Sequence, residues 1–199
     1  LTAGNVTTNA NLTGHVTSVG NAAVLGSFTL AQLNTAISDA DLGITLGTEQ
    51  ATTSGTTKDF TGIPADVRRI TVMFTGVSLS GTDNILVQIG DSGGFETTSY
   101  VSTSVLTDSA GGSAGVSSTS GFIIAVSEAA GLVSGHMILT LANTSHVWIS
   151  SHSGKKTRST ILGGGGNRTG LDTVLTQVRV TLTGADTFDA GAVNISYER

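Results

Sequence analysis

The most constraining feature of the sequence is an alternation of apolar and polar residues that begins near residue 46 and continues to the end of the chain. Ile70, Val72 and Phe74 occupy every second position, and Ile85 and Val87 repeat the pattern. Successive side chains of a strand point to opposite faces, so this period predicts strands. Further strands are expected over residues 100–106, 121–126, 136–141, 146–151, 157–162, 174–182 and 192–197. Strands so regularly spaced predict an all-β domain over residues 44–199, an antiparallel β-sandwich or jelly-roll-like fold.

Glycine-containing segments separate these strands. Turns are expected at residues 80–84, 91–94, 111–112 and 184–186, where Gly, Asp, Asn and Ser cluster. The run at residues 163–170, with four consecutive glycines, superficially resembles a phosphate-binding loop. It lacks the Gly-Lys-Ser/Thr ending and a following helix. We therefore expect a mobile loop there.

The first 43 residues follow a different pattern. Related short pieces rich in Asn, Thr, Gly and Val occupy residues 1–27, and they predict either a fibrous shaft shared by several chains or a flexible linker. Leu30, Leu33 and Ile37 then have helical spacing, with Gly43 where a helix would end. We expect one short helix over residues 27–43, which forms either a three-helix seam or a layer beneath the following domain. Residues 1–43 are thus predicted to be a shaft or attachment segment.

The composition is unusually poor in charge. Only 12% of the 199 residues are charged, against roughly a quarter in a typical soluble domain. So much uncharged surface indicates burial between subunits. A net charge of -5 provides no basic footprint for nucleic acid, and no apolar run approaches the roughly 20 residues of a membrane-spanning helix. The sequence has no cysteine, which excludes disulfides and thiolate metal sites. It begins at Leu1 without an initiator Met, so we expect a piece of a longer protein.

Three segments of the chain resemble bacteriophage tail-fibre and related virion proteins. The first is Asn11-Leu12-Thr13-Gly14-His15-Val16-Thr17-Ser18-Val19-Gly20-Asn21, followed by Phe28-Thr29-Leu30-Ala31-Gln32-Leu33. The second runs from Phe60-Thr61-Gly62-Ile63-Pro64 through Arg69-Ile70-Thr71-Val72-Met73-Phe74 to Gln88-Ile89-Gly90-Asp91, and is similar to the β-rich terminal domain of such fibres. The third is the ending Phe188-Asp189-Ala190-Gly191-Ala192-Val193-Asn194-Ile195-Ser196-Tyr197-Glu198.

The resemblance implies a role but no particular site. It implies a homotrimer on the virion exterior, joined to other virion proteins by its N-terminal segment. The distal domain would contact a polysaccharide or protein of the host cell surface during adsorption. Because the chain is short for a fibre, a head fibre or capsid decoration protein without receptor binding is the alternative. The expected partners include neither nucleic acid nor an inserted membrane.

Several residues bear on chemical alternatives. Asp91 with Glu96, and Asp186 with Asp189, are the closest acidic pairs in the clearer turns of the domain. Glycoside hydrolysis needs two carboxylates about 5–10 Å apart, but acids in such turns commonly bond the local backbone. We therefore expect no enzymatic activity, and a polysaccharide-degrading spike is the least favoured hypothesis.

The histidines suggest a metal site only weakly. His146 and His152 share strand parity with each other, but six residues along a strand span about 20 Å. Solvated or interface positions are expected for these two and for His136. No metal or cofactor is predicted, with an axial ion held by three copies of His15 as the alternative.

Three residues are candidate receptor contacts: Trp148, Tyr100 and His152. Trp148 shares strand parity with His152, and carbohydrate can stack on an indole ring. Packing of Trp148 in the core or at a subunit interface is the alternative, and the sequence favours it. Lys155, Lys156 and Arg158 are expected at a solvated hairpin tip, with contact to acidic sugars as an alternative.

Overall fold

The computed structural model describes residues 16–19, 22–25, 43–157 and 160–199. The chain divides into two compact units, Leu1–Leu42 and Gly43–Arg199. In the first unit, β1 (Val16–Val19) and β2 (Ala22–Leu25) pair antiparallel. The predicted helix over residues 27–43, apart from its last residue, lies outside the described residues, as does His15.

The second unit is built from strands, and no helix occurs in its described residues. Its strands are β3 (Thr45–Leu46), β4 (Gln50–Ala51), β5 (Lys58–Thr61), β6 (Arg69–Leu79), β7 (Ile85–Asp91), β8 (Gly94–Phe95), β9 (Tyr100–Thr107), β10 (Ser113–Ser118), β11 (Phe122–Ile124), β12 (Val133–Leu141), β13 (Trp148–Lys156), β14 (Thr160–Arg168), β15 (Gln177–Leu182) and β16 (Phe188–Glu198).

These strands form two antiparallel sheets that pack together as a β-sandwich. The large sheet has the order β10-β9-β14-β13-β12-β6-β16-β3, with β4 also paired to β16. The small sheet has the order β11-β7-β15-β5, with β8 paired to β7. The predicted all-β sandwich is therefore confirmed.

The two halves of the large sheet present different side chains to the interior. The apolar half comprises the inward-facing residues of β6, β12 and β16, which are buried aliphatic or aromatic side chains: Ile70, Val72, Phe74, Met137, Leu139, Val193 and Ile195. The serine-glycine half comprises inward-facing residues of β9, β13 and β14, which are small or polar: Ser102, Ser104, Ser150, His152, Gly164 and Gly166. Apolar burial holds the first half together throughout. In the second half it is supplied at the two ends, by Tyr100 and Trp148 at one and by Leu106 and Leu162 at the other, and the small and polar positions between them need another explanation.

In the serine-glycine half, the sheets are joined by hydrogen bonds to hydroxyl groups. β11 is an edge strand of the small sheet and also contacts β9 and β14. The backbone N–H of Ile123 donates to the Ser102 hydroxyl at 2.9 Å, and that of Ala125 donates to Ser104 at 3.1 Å. Buried amide groups that lack strand partners thus find side-chain acceptors, which avoids a substantial desolvation cost.

The glycine run at residues 163–166 lies inside β14, between β9 and β13, so the predicted mobile loop is wrong. The reason is close packing. A Cβ added to Gly164 would collide with the Thr103 carbonyl oxygen and lie 2.5 Å from Cε1 of His152. Glycine is required at this position because neighbouring atoms fill the space of a side chain.

Candidate functional site

The outward-facing residues of β9, β13 and β14 form a continuous surface that we name the open face. Register places these positions beside one another across the three strands. Its twelve residues are Val101, Thr103, Val105, Thr107, Ile149, Ser151, Ser153, Lys155, Ile161, Gly163, Gly165 and Asn167.

Apolar side chains on the open face are unusually exposed. Val101 and Ile161 are each 67% exposed, Ile149 is 47% exposed and Val105 is 40% exposed. Among the twelve residues, Lys155 is the one that carries a charge. Large uncharged surfaces with exposed aliphatic groups mark contact sites more often than free surface.

The centre of the open face contains few side chains, because glycines lie beside Val105 on both neighbouring strands. Val105 lies between Gly115 on β10 and Gly163 on β14, and Ser153 lies beyond Gly163. A Cβ added to Gly163 would have no atom within 4 Å. Val105 therefore stands beside a strip without side chains, which leaves room for a side chain from another molecule.

The open face offers groups for packing and for neutral hydrogen bonds. Ser, Thr and Asn supply neutral hydrogen-bonding groups, and the backbone of β14 is paired on both sides. Such a surface suits contact with another neutral, apolar surface, because neither partner loses the hydration of a charge.

The three predicted receptor contacts lie inside the sandwich. Trp148 and Tyr100 are each 1% exposed, and His152 is 7% exposed. Trp148 and His152 do share a face, but it is the inward face of β13. Their expected place on a contact surface is therefore corrected, and core packing of Trp148, the alternative that the sequence favours, is confirmed.

Tyr100 has a structural environment. Its hydroxyl accepts a hydrogen bond from the Ile89 N–H at 2.9 Å and donates to the Glu96 carbonyl at 3.1 Å. Its ring meets Phe122 edge-on, with centroids 5.0 Å apart. Burial raises the pKa of the Tyr100 phenol well above its usual value. The phenol therefore stays neutral and links β7 to the start of β9.

His152 forms a buried pair with Ser104 that the sequence analysis did not identify. Nε2 of His152 lies 2.9 Å from the Ser104 Oγ, and burial lowers the pKa of His152 to about 4. A serine in contact with a neutral histidine is the usual arrangement of a nucleophile and its base. Here Ser104 is fully buried and already accepts the Ala125 N–H. The pair links β9 to β13 within the large sheet, and the bond from Ala125 connects it to the β11 region. Its burial leaves a substrate no access.

The acidic residues singled out in the sequence bond to nearby groups. Asp91 accepts hydrogen bonds from the N–H groups of Gly93 at 2.7 Å and Thr173 at 3.0 Å. The bond from Gly93 is the main cause that lowers the pKa of Asp91, against the opposing effect of burial. Glu96 pairs with Arg168 at 2.7 Å instead of with Asp91.

Asp186 and Asp189 likewise have separate partners. Asp186 accepts a hydrogen bond from the Asp83 N–H at 2.7 Å, and Asp189 contacts the Ser78 hydroxyl. The two carboxylates are each committed to a different part of the β6–β7 region. The expectation that acids in these turns bond the local backbone is therefore wrong for this pair, because both partners lie more than 100 residues away in the sequence.

The expected basic hairpin tip is corrected in part. Lys155 is exposed, but Lys156 is 5% exposed and its ammonium donates to the Val126 carbonyl at 2.8 Å. Arg158 lies outside the described residues.

In the part of the chain that the structure describes, no group of three or more His, Cys, Asp or Glu side chains is placed to hold a metal ion. The described residues also contain no helix long and apolar enough to cross a membrane.

No protein-family model, curated protein or solved structure matches this chain significantly.

The sequence analysis did not identify the open face, although the sequence contains a signal for it. On β9, Val101 and Val105 have the opposite parity to Tyr100 and Leu106, so apolar residues occur on both faces of one strand. That pattern indicates a strand covered on both sides.

Proposed function

We propose that this chain is a subunit of a homotrimeric virion fibre, the distal part of a bacteriophage tail fibre, whose β-sandwich contacts the host cell surface. The sequence resemblance to fibre proteins in both units supports the role. The observation that carries the proposal is the open face, with four exposed aliphatic side chains and one charge among twelve residues. A lone subunit would leave this surface in water, whereas identical copies would cover it for one another.

The first test is the oligomeric state. Sedimentation velocity of the purified chain is expected to give three times the 20.0 kDa of one subunit. Val105→Lys places an ammonium at the centre of the open face, where burial without a partner costs several kcal/mol, so we expect about a tenfold or greater shift toward monomer. Thr98→Lys, at an exposed position between β8 and β9, is the matched control and should remain trimeric.

A monomeric native chain at working concentration would contradict the trimer. A trimer that Val105→Lys leaves intact would instead place the subunit contact outside the open face.

The second test is adsorption. Fluorescently labelled chain is incubated with a panel of bacterial strains, and saturable binding that unlabelled chain displaces is expected on at least one strain. Binding to none of them argues against host contact. Antibody labelling of particles then separates tail from capsid, and capsid labelling would favour a head fibre or decoration protein.

A further inference from the structure

A cleft of about 330 Å³ opens beside the ends of β9, β13 and β14. The tip of the β9–β10 hairpin, the connection after β11 and the ends of β13 and β14 surround it. Its lining combines both signs of charge with hydroxyl and apolar groups: Leu106, Asp108, Ser113, Glu128, Lys156 and Thr160. This volume is at the lower end of the range for small-molecule sites.

Lys156 is the unusual member of the cleft. Its side chain is 7% exposed, although a lysine is almost never buried to this extent without full pairing. The ammonium has one short hydrogen bond, to the Val126 carbonyl at 2.8 Å. The Glu128 carboxylate lies 3.5 Å away, which is beyond good hydrogen-bonding distance. Three N–H donors are thus incompletely satisfied beside an open cleft.

Asp108, in the connection after β9, supplies another acceptor to the lining of the cleft. One oxygen, Oδ1, accepts hydrogen bonds from the N–H groups of Ala110 at 2.8 Å and Gly112 at 2.9 Å. These bonds hold the hairpin tip in place. Within the described residues, Oδ2 accepts no hydrogen bond, so Asp108 keeps an acceptor on a rigid turn.

The mixture of charges restricts the ligand. A phosphate or carboxylate would bond Lys156 but would meet Asp108 and Glu128, and a simple cation would be repelled by Lys156. A hydroxyl group donates to a carboxylate and accepts from an ammonium at the same time. A ring with neighbouring hydroxyls would therefore satisfy the carboxylates and the ammonium together, and its apolar face would meet Leu106 of the lining.

We propose that this cleft binds a neutral, hydroxyl-rich saccharide, with Asp108 and Glu128 accepting from its hydroxyls and Lys156 donating to them. The inference rests on the proposed function only for the source of the sugar, which is then a glycan of the host surface. The site differs from the three residues that the sequence suggested, since Asp108 is exposed and an open cleft lies beside the buried Lys156.

Saturation-transfer NMR on the full chain tests the proposal with methyl glycosides of glucose, galactose, mannose and N-acetylglucosamine as probes. Transfer to at least one of them is expected, and glucuronic acid should bind more weakly because its carboxylate meets Asp108. Asp108→Asn retains the oxygen that holds the turn but removes the charge, and should weaken binding about tenfold or more. Asp172→Asn, an exposed acid in the connection after β14, is the matched control.

Lys156→Met is the second variant, because Met preserves the aliphatic length and removes the donors. It should abolish transfer, with circular dichroism used to check that the strands are retained. If Lys156→Met does not fold, Asp108→Asn still decides the question, since its carboxylate is on an exposed turn.

No transfer from any of the four glycosides at about 20 mM, or equal binding by Asp108→Asn and native chain, would overturn the cleft as the site. Strain binding separates this result from the proposed function. Native-like adsorption by Asp108→Asn would support the fibre role and show that the cleft is not the site that contacts the host. Sugar binding without adsorption to any strain would support the cleft as a saccharide site and contradict the proposed contact with the host.

Discussion

The apolar half and the serine-glycine half of the large sheet belong to one sheet but are stabilised differently. In the apolar half, Leu139 and Val72 are fully buried among aliphatic neighbours. In the serine-glycine half, Ser104 is also fully buried but acts as a hydrogen-bond partner of Ala125 and His152. The same strand alternation thus supports two kinds of interior.

The difference shows how an edge strand can be sealed without another strand. Two amides of the β11 region reach the large sheet only because the residues opposite are small. Large aliphatic side chains in these positions would hold the sheets apart, and the amides would lose their acceptors. In the serine-glycine half the inward-facing side chains must therefore be small and must also accept hydrogen bonds. In the apolar half they must instead be large enough to fill the space between the sheets.

The largest expected effect on the free energy of unfolding comes from a truncation in the apolar half. Leu139→Ala removes a fully buried side chain and leaves a cavity, so we expect a loss of about 2–5 kcal/mol in the free energy of unfolding. Leu132→Ala, at a residue that is 43% exposed, is the control of the same type and should cost far less. Urea unfolding at a fixed chain concentration measures both. Equal losses in the two variants would show that burial in the apolar half does not control stability.

The next effect compares two adjacent glycines of β14. Gly164→Ala forces a methyl group against Thr103 and His152, and should cost about 1–3 kcal/mol or more. Within one subunit Gly163→Ala meets open space on the open face, and should be neutral or stabilise the folded subunit by about 0.5 kcal/mol. Thermal unfolding of the pair checks the sign of each change. A tolerated alanine at Gly164 would mean that the sheets are not closely packed there.

The smallest effect concerns pH and the serine-glycine half alone. An unfolded histidine binds a proton near pH 6.5, but burial lowers the pKa of His152 to about 4 in the folded chain. The unfolded chain binds more protons between these values, so stability decreases as the pH falls through this window. From pH 7.5 to 5.5 we expect this term to cost about 1.4 kcal/mol.

His152→Gln should remove that loss, since an amide can still bond to Ser104 but does not titrate. Urea unfolding of native chain and variant at both pH values gives the difference. His136→Gln, at an exposed position on β12, is the matched control. If His152→Gln and His136→Gln change the pH dependence equally, the buried pair is not the source of the acid sensitivity.

The sequence predicted the fold where apolar residues alternate and failed where they do not. The alternation of Ile70, Val72 and Phe74 predicted β6, and all three are buried. The Gly163–Gly166 run carries no alternation, because glycine has no side chain with which to mark a face. Its place inside β14 depends on neighbours in β9 and β13, which are distant in the sequence.

The candidate sites show the same division. Strand parity placed Trp148 and His152 on one face, but parity does not say which face is inward. The cleft brings together Asp108 and Glu128 from two connections and Lys156 from the end of β13, and no spacing in the sequence relates them.

By itself, the sequence determined an all-β domain over residues 44–199, a preceding segment of different composition and a scarcity of charge, because composition and period are local properties. Only the tertiary structure decided which surface is left uncovered and which buried polar groups face one another. Those outcomes depend on how strands far apart in the chain are paired, and on the packing of one sheet against the other.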